Sequence, residues 1–406
     1  MTDRIRLAHV VSHPIQYFAP LYRELSRRPE IDLTVFFCSD YSLGAFHDPG
    51  FGRSVQWDTP LLEGYRWRLP PSAKGAPATD RFVARPNLDI VREIASGRYD
   101  AMWVHGYMHA TVWLTVAAAR ARGMTVLLRD EQTLLKRRPW HRRVIKEPLL
   151  RALLSQCSGL YIGEENRRYL RRYGMPERRL FFAPYAVDNG FFRRRAEELA
   201  SERTALRRSF GIPTDTPAAL FVGKFVEKKQ PLRVIEAFAR ASRSNPCLLI
   251  MAGDGPLRPE AEALARRLGV PGVRFAGFLN QTELPSAYAA ADLFVLPSSH
   301  DETWGLVVNE AMNFGLPVVV SDRVGCARDL VRDGENGFVV PHDDPDALAR
   351  AIETLAADRV LRERFGAHSR RIVDAYSVER AADGVVDACL TRGVRAIESQ
   401  EEALAA

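Results

Sequence analysis

Short apolar runs alternate with helical patterns along most of the chain. In the first half these runs lie at residues 5–12, 31–38, 101–105 and 124–130. They are apolar on both faces of the pleat, which is typical of parallel strands covered by helices on both sides. The alternation of strands and helices therefore predicts a doubly wound α/β domain.

A second series of apolar runs follows, at residues 218–224, 247–253, 273–277, 292–297 and 316–322. The stretch before it, residues 191–217, is polar and charged and has no strand pattern, so it reads as a partly helical linker. Ligands of doubly wound sheets bind outside the carboxyl ends of the strands, so two such domains predict a cleft between those ends.

These patterns divide the chain into four predicted parts. They are an N-terminal α/β domain, a linker, a second α/β domain and an amphipathic C-terminal helix, at residues 1–190, 191–217, 218–377 and 378–406.

Two glutamates, Glu302 and Glu310, flank Gly305, where a short helix is predicted to begin. Free N–H groups at a helix start bind anions. At about 1.5 Å of rise per residue the two carboxylates would be roughly 10 Å apart. Phosphates on the amides of Trp304 to Val307 would then leave a hydroxyl-rich group within reach of each glutamate. The pattern predicts a nucleotide-sugar site; for an isolated pair, the alternative is two solvated helix charges.

Two glycine-containing loops follow predicted strands of the same domain. Gly223 leads into a loop with Lys224 and Lys229, and residues 253–256 (Gly-Asp-Gly-Pro) follow the next strand. Glycine permits a tight turn beside a ligand, and lysines supply point charges suited to a diphosphate. Solvated lysines and a plain turn remain the alternatives for each loop alone, but three such loops at one sheet edge favour a binding site.

Composition limits the class of protein. The chain has 406 residues, 46% of them hydrophobic, and no apolar run of about 18 residues, so we expect no membrane-spanning helix. The N-terminus turns polar too early for a secretory signal. Five scattered cysteines without Cys-x-x-Cys spacing fit reduced thiols and a cytoplasmic protein, and argue against a structural zinc site.

The net charge of +7 suggests acidic partners, and the basic residues cluster at 136–143 and 166–172. Solvated helix faces, an anionic membrane surface and a phosphorylated acceptor are alternative explanations. A nucleic-acid partner is not expected, because no recognition motif and no basic stripe interleaved with aromatics is present.

Together these motifs resemble the retaining glycosyltransferases of the GT-B fold, most closely family 4. The E-x7-E signature of that family is matched by Glu302 and Glu310, and its G-R-x5-K loop by Gly223, Lys224 and Lys229. Lys224 stands where members usually carry arginine, so a bidentate phosphate contact is lost.

Further stretches extend the resemblance over nearly the whole chain. Residues 253–256 match the G-D-G-P turn, residues 275–278 the strand end near the base, residues 184–192 the domain boundary motif and residues 332–340 a D-G-x-N-G run. The N-terminal Gly-Gly loop of the family is replaced by Ser12, His13 and Pro14. We expect this replacement to affect the handling of the acceptor.

The resemblance implies a role for particular residues. Glu310 would hold the ribose hydroxyls, Glu302 the donor sugar, and Lys224 and Lys229 the leaving diphosphate. The residues implied in donor binding are Gly223, Lys224, Lys229, Gly253, Asp254, Phe278, Glu302, Trp304, Gly305, Leu306, Val307 and Glu310.

In the N-terminal domain, His105 matches a histidine that family members place near the anomeric carbon of the transferred sugar. His105 therefore joins Glu302, Lys224 and Lys229 as a catalytic candidate. His13 and Asp130 are candidates for acceptor contact, and so is the irregular region 40–86 with its aromatic side chains. The C-terminal segment is expected to pack back on the N-terminal domain.

The resemblance implies a GT-B hexosyltransferase that moves a sugar from a nucleotide-diphosphate sugar to a hydroxyl acceptor without a metal cofactor. Retention by front-face attack is the preferred mechanism. A nucleotide-sugar epimerase, a phosphorylase and a non-catalytic protein on the same fold are alternatives. The base of the donor stays open among UDP, GDP and ADP types. Peripheral contact with the inner face of an anionic membrane is an alternative for the basic N-terminal domain.

Overall fold

The computed structural model describes residues 4–75, 86–135 and 140–405, and the side chains within them except those of residues 140–145 and 392–405. The strands are β1 (Ile5–Val11), β2 (Ile31–Phe37), β3 (Phe46–Asp48), β4 (Arg53–Val55), β5 (Trp67–Arg68), β6 (Ala101–His105), β7 (Thr125–Arg129), β8 (Ser158–Tyr161), β9 (Leu180–Phe182), β10 (Ala218–Val222), β11 (Leu248–Ala252), β12 (Val273–Gly277), β13 (Leu293–Leu296), β14 (Val318–Ser321) and β15 (Gly337–Val340).

Helices connect most of these strands. They are α1 (Ala19–Arg27), α2 (Leu88–Ala95), α3 (Ala110–Ala121), α4 (Trp140–Ser155), α5 (Glu164–Arg172), α6 (Asn189–Ala200), α7 (Arg203–Ser209), α8 (Pro231–Ala241), α9 (Arg258–Arg267), α10 (Leu284–Ala290), α11 (Leu306–Asn313), α12 (Ala327–Leu330), α13 (Pro345–Ala357), α14 (Arg359–Val373) and α15 (Val378–Ala405).

The chain forms two compact units. Unit 1 comprises Met1–Gly44, Pro60–Tyr185 and Val378–Ala406, and unit 2 comprises Ala45–Thr59 and Ala186–Ser377. The second unit therefore contains a short segment from the first part of the chain, residues 45–59, which we call the hairpin segment because β3 and β4 pair antiparallel within it.

Unit 1 is built on a seven-stranded sheet in the order β5-β2-β1-β6-β7-β8-β9. Its strands pair in parallel, with Leu7 of β1 opposite Leu33 of β2 and Ala101 of β6. The side chains of β1 and β6 are almost all buried, as expected for strands covered on both faces. The last helix, α15, packs here, and a Cβ atom on its Gly384 would lie 2.0 Å from the carbonyl oxygen of Phe182.

Unit 2 has a six-stranded parallel sheet in the order β12-β11-β10-β13-β14-β15. Every residue of β10, β11, β13 and β14 is buried. The order reverses beside β10, and crevices at such a reversal are where doubly wound sheets bind ligands. The fold predicted from the sequence, two doubly wound α/β units, is confirmed.

The predicted strands are all present, and most end one or two residues earlier than the apolar runs suggest. The strands are shorter than the runs because the last residues of the runs, such as Lys224 and Asp130, lie in the loops that leave the sheet edge. Six strands, β3, β4, β5, β8, β9 and β15, escaped prediction. They contain only two to four residues each, too few to show a period.

The segment predicted as a linker is mostly helical and forms part of unit 2. Asp188 accepts a hydrogen bond from the N–H of Phe191 at 2.8 Å and so caps α6. In α7, the buried Arg207 donates to Asp292 at 2.9 Å and to the carbonyl of Pro213 at 3.0 Å. The bond to Asp292 fixes α7 to the residue that precedes β13.

The two basic clusters differ in how far the structure describes them. The side chains of the first, at residues 136–143, lie outside the described residues. In the second, on α5, Arg168 is 3.3 Å from Glu165 and Arg172 is 3.0 Å from Glu147, while Arg167 pairs with Glu177. The arginines of the second cluster are thus largely neutralised within unit 1. No helix in the described part of the chain is long and apolar enough to cross a bilayer.

Candidate functional site

Glycines bring the loops after β10 and β11 into contact at one edge of the unit 2 sheet. A Cβ atom on Gly253 would lie 1.9 Å from the carbonyl oxygen of Gly223, and the φ of Gly253 is +138°. Only glycine fits both the space and the backbone angle. The predicted ligand loops therefore lie side by side at the carboxyl ends of their strands.

Lys229 and Glu302 form an ion pair at this edge. Their side chains are only 14% and 11% exposed, and the Ser298 hydroxyl donates to the same glutamate oxygen at 3.0 Å. Burial would raise the pKa of Glu302, but the charge and hydrogen bond of Lys229, with smaller effects of Lys228 and Ser298, lower it instead. Lys229 and Glu302, which were predicted from different loops, thus form one ion pair.

The backbone is strained on both sides of this pair. Gln230 follows Lys229 with a φ of 58°, and Asp301 precedes Glu302 with a φ of 52°. They are the non-glycine residues with positive φ in the described part of the chain. Such strain is retained in proteins mainly where surrounding structure enforces it, often at functional sites.

The helix α11 begins beside Glu302. Its N-cap is Gly305, with a φ of 101° and no side-chain acceptor for the first amides. A Cβ atom at Gly305 would lie 3.1 Å from both Leu296 and Val324, so the close approach also requires glycine. Leu306 and Val307 occupy the first turn, where backbone N–H groups have no partner within the helix and can bind an anion.

The Trp304 side chain belongs to the core. It is 3% exposed, and its indole N–H donates to Asn309 at 2.9 Å. Its ring also packs at 5.8 Å from that of Tyr376. Trp304 therefore fixes the start of α11 through its ring, which leaves only its backbone for the predicted phosphate contact.

Glu310 lies in the second turn of α11 and is 1% exposed. One of its oxygens accepts a hydrogen bond from the Tyr288 hydroxyl of α10 at 2.7 Å. Tyr288 was not predicted from the sequence, since nothing in the pattern marks a tyrosine on a different helix as a partner of this glutamate.

The hairpin segment lies against the second predicted lysine. Both oxygens of Asp48 accept from the Lys224 ammonium, at 2.9 and 2.8 Å. Asp48 also caps its own turn by accepting from the N–H groups of Gly50 and Phe51 at 2.8 and 3.1 Å. Lys224 is therefore held by a carboxylate of unit 2, Asp48, that no sequence pattern connects with it.

The same segment covers two further candidates for donor binding. Phe51 meets Phe278 edge to face at 4.9 Å, and Arg53 lies over the Phe278 ring at 5.3 Å. Arg53 is also 3.9 Å from Asp254, which accepts a hydrogen bond from the N–H of Gly255. The aromatic residues of region 40–86 are divided between the two units: Phe51 belongs to unit 2, and others belong to unit 1. Residues 76–85 of this region lie outside the described residues.

In unit 1, His105 ends β6 and pairs with Glu131, the second residue after β7. Its Nε2 atom is 3.4 Å from Glu131 Oε1. Its Nδ1 atom is buried and has no hydrogen-bond partner in the part of the chain that the structure describes. The sequence pattern does not single out Glu131, because its neighbour Asp130 is the first carboxylate after the apolar run of β7.

The two predicted acceptor residues are largely buried. Burial, with the nearby charges of His105 and His109, lowers the pKa of His13 to about 4. Asp130 is 2% exposed and accepts from Asn166 at 2.7 Å, and burial raises its pKa to about 6 against the opposing effect of that bond.

Comparison with known proteins agrees with this geometry. A family model described as "Glycosyl transferases group 1" matches residues 202–372, which include every predicted donor-binding residue. The chain is 33% identical over 323 residues to a D-inositol 3-phosphate glycosyltransferase of Geodermatophilus obscurus, covering 74% of this chain and 68% of that one. The chain belongs to the glycosyl transferases group 1 family. It is therefore a glycosyltransferase, and the alternative of a non-catalytic protein is set aside.

This glycosyltransferase is also 33% identical over 239 residues to the alpha-D-kanosaminyltransferase of Streptomyces kanamyceticus, where the match covers 57% of this chain and 60% of that one. It thus spans less than two thirds of that relative. Among solved structures, HepE of Anabaena in complex with UDP is similar with a TM-score of 0.71 at 18% identity, over 95% of this chain and 100% of that one. At that identity the likeness concerns the fold, which is GT-B as expected.

Proposed function

We propose that this glycosyltransferase moves a hexose from a nucleotide-diphosphate sugar to a hydroxyl acceptor, with retention at the anomeric carbon. The observation that carries the proposal is the Lys229–Glu302 pair beside the start of α11. It places an ammonium, an ionised carboxylate and a helix N-terminus at one edge of a doubly wound sheet. This combination suits a ligand that carries both phosphates and hydroxyls.

In this proposal Lys229 serves two partners. A lysine ammonium has three donors, so Lys229 can keep its bond to Glu302 while it contacts the β-phosphate. Glu302 then accepts from hydroxyls of the donor sugar, and the amides of Leu306 and Val307 contact phosphate oxygens. Glu310 would hold the ribose hydroxyls.

The reaction proposed is a front-face displacement. The bond between the anomeric carbon and the β-phosphate oxygen breaks, and its electron pair stays on the phosphate. The acceptor oxygen bonds to the same face of the sugar, and its proton passes to the departing phosphate oxygen. Lys229, Lys224 and the start of α11 stabilise the developing negative charge. Since fixed cations supply this stabilisation, we propose that the reaction needs no metal ion.

The residues of unit 1 complete the proposal. His105 would accept a hydrogen bond from a hydroxyl of the transferred sugar, and His13 would contact the acceptor. Asp130 is a weaker acceptor candidate, because its burial and the bonds it accepts from Asn166 and from the N–H of Gln132 already explain its position.

UDP is the first nucleoside diphosphate to test, because a solved structure of similar fold holds UDP. An inositol phosphate is the first acceptor to test, because a relative is named for it and the net charge of +7 suits an anionic acceptor. We further propose that the enzyme acts in the cytoplasm, with an anionic membrane surface as a second candidate for the basic N-terminal region.

Product analysis tests this function. The full chain is incubated with UDP-, GDP- and ADP-hexoses, with and without inositol phosphates and simple sugars, in the presence of a chelator. Release of nucleoside diphosphate together with a glycoside whose anomeric configuration matches the donor is expected. An inverted product, or a strict need for added divalent metal, would contradict the proposed mechanism. Donor consumed at full rate without any acceptor would replace it by the epimerase alternative.

A further inference from the structure

Asp130 and Glu131, the two residues that follow β7, contact different neighbours. Asp130 faces Asn166 of α5, whose amide donates to it at 2.7 Å. Glu131 instead reaches His105 at the end of β6, and hydrogen-bonds to the Tyr185 hydroxyl as well. Glu131 therefore lies at the carboxyl edge of the sheet together with His105.

Aromatic rings enclose the pair of Glu131 and His105. The Phe18 ring is 4.7 Å from that of His105 and stacks on Tyr185 at 5.8 Å. The Arg129 guanidinium lies over both Phe18 and Tyr185, at 5.6 and 5.2 Å. A polar contact is stronger in such surroundings than in water.

Glu131 remains an acceptor in this setting. Burial alone would raise its pKa, but the hydrogen bond from His105, the Tyr185 hydroxyl and the Arg129 charge together lower it. An ionised carboxylate can only accept a hydrogen bond. The Nε2 atom of His105 is the ring nitrogen that faces it, so Nε2 carries the proton.

The other ring nitrogen of His105, Nδ1, is the atom that can bind a ligand. With the proton on Nε2, a neutral imidazole presents Nδ1 as a lone-pair acceptor. Buried polar atoms in proteins nearly always have a partner, yet Nδ1 of His105 has none among the described residues. It lies at the carboxyl end of β6, the edge at which sheets of this kind bind ligands. An incoming hydroxyl would supply the missing bond.

We propose that Glu131 is a positioning residue that fixes His105 in the Nε2–H tautomer, so that Nδ1 accepts a hydrogen bond from a hydroxyl of the sugar being transferred. The role given to the hydroxyl rests on the proposed function; the tautomer does not. The His9 ring also faces this imidazole, with the two ring centroids 6.5 Å apart.

Nitrogen-15 NMR of histidine-labelled full-length protein tests the tautomer without any substrate. In the wild type, His105 is expected to show a protonated Nε2 and an unprotonated Nδ1, with the signal assigned by its loss in His105→Asn. Glu131→Ala should yield a mixture of tautomers, and Asp130→Asn should leave the His105 signals unchanged. A protonated Nδ1 in the wild type, or an unchanged His105 spectrum in Glu131→Ala, would overturn the proposal.

Kinetics then test the consequence. Glu131→Ala should lower kcat on the order of 10²-fold, as expected when a reacting group loses its orientation, with the Kd for the nucleoside diphosphate unchanged. Glu131→Gln, which can still accept from Nε2–H, should recover most of the loss. The control is Glu165→Gln, a buried glutamate of the same unit that pairs with Arg168. Unchanged kcat in Glu131→Ala would refute the positioning role, whereas absence of transfer by the wild type would refute the proposed function and leave the NMR result standing.

Discussion

Asp48 accepts two hydrogen bonds from Lys224, at 2.9 and 2.8 Å, although the two residues are far apart in the sequence. The pair joins the hairpin segment to the loop after β10. A diphosphate that contacts the Lys224 ammonium must therefore share it with a carboxylate that already takes two of its three donors.

Replacing Asp48 by Asn should tighten the binding of UDP, or of whichever nucleoside diphosphate the chain prefers. The expected change is about two- to fivefold in Kd, the range of a partly exposed ion pair. Calorimetric titration of the full chain measures it, and the gain should shrink at high salt. Asp58→Asn is the matched control, since Asp58 lies on the same segment but accepts from the N–H of Thr282 at 3.1 Å. Unchanged or weaker binding in Asp48→Asn alone would show that Asp48 supports the site.

The effects of Lys229 and Glu302 on the free energy of unfolding should be coupled, whereas each side chain should be required for transfer. Lys229→Met leaves a largely buried carboxylate without its partner and should cost about 3 kcal/mol of unfolding free energy. Adding Glu302→Gln removes the stranded charge, so the double variant should recover most of that loss. Urea unfolding gives the free energies of Lys229→Met, Glu302→Gln and the double variant, and transfer assays should find all three variants inactive. Additive effects of the two substitutions on stability would argue against a coupled pair.

The start of α11 should depend on glycine. Gly305→Ala forces a side chain onto a left-handed backbone with Leu296 and Val324 only 3.1 Å away, so we expect a loss of about 1–3 kcal/mol and weaker nucleotide binding. Gly334→Ala is the control, because Gly334 also has a positive φ, 75°, but open space around its Cβ position. Chemical unfolding and UDP titration compare the two. Equal effects on UDP binding would mean that the geometry of α11 does not matter for the ligand.

Much of this site was open to prediction from the sequence. The apolar runs marked the strands, and since parallel strands present their carboxyl ends at one edge, Gly223, Gly253 and Glu302 could be placed together. Partners from distant elements could not be predicted, because a single sequence holds no record of which long-range contacts form. Asp48, Tyr288 and the position of the hairpin segment in unit 2 are of this kind. Glu131 was missed for a local reason: the choice between adjacent carboxylates after β7 depends on which side of the sheet each one faces.

Asp130 should make stability fall as the pH rises. Burial raises its pKa from 3.8 to about 6 in the folded chain, so the folded state holds a proton that the unfolded state has released. The stability is present below about pH 4 and is lost as the pH rises through about 6, by about 3 kcal/mol. Asp130→Asn should gain stability relative to the wild type between pH 4 and pH 8. A difference in unfolding free energy that stays constant over this range would exclude a raised pKa.

The most direct test of the account is thermal unfolding of the full chain with UDP, GDP, ADP, CDP and dTDP. A ligand that binds only the folded state stabilises it by RT ln(1 + [L]/Kd), about 2.7 kcal/mol at a hundredfold excess over Kd. We predict a selective rise in Tm with one nucleoside diphosphate and a much smaller rise in Glu310→Gln, where a neutral amide replaces the carboxylate proposed to accept from the ribose hydroxyls. If no nucleotide raises the Tm of the wild type, unit 2 does not hold the donor site described here.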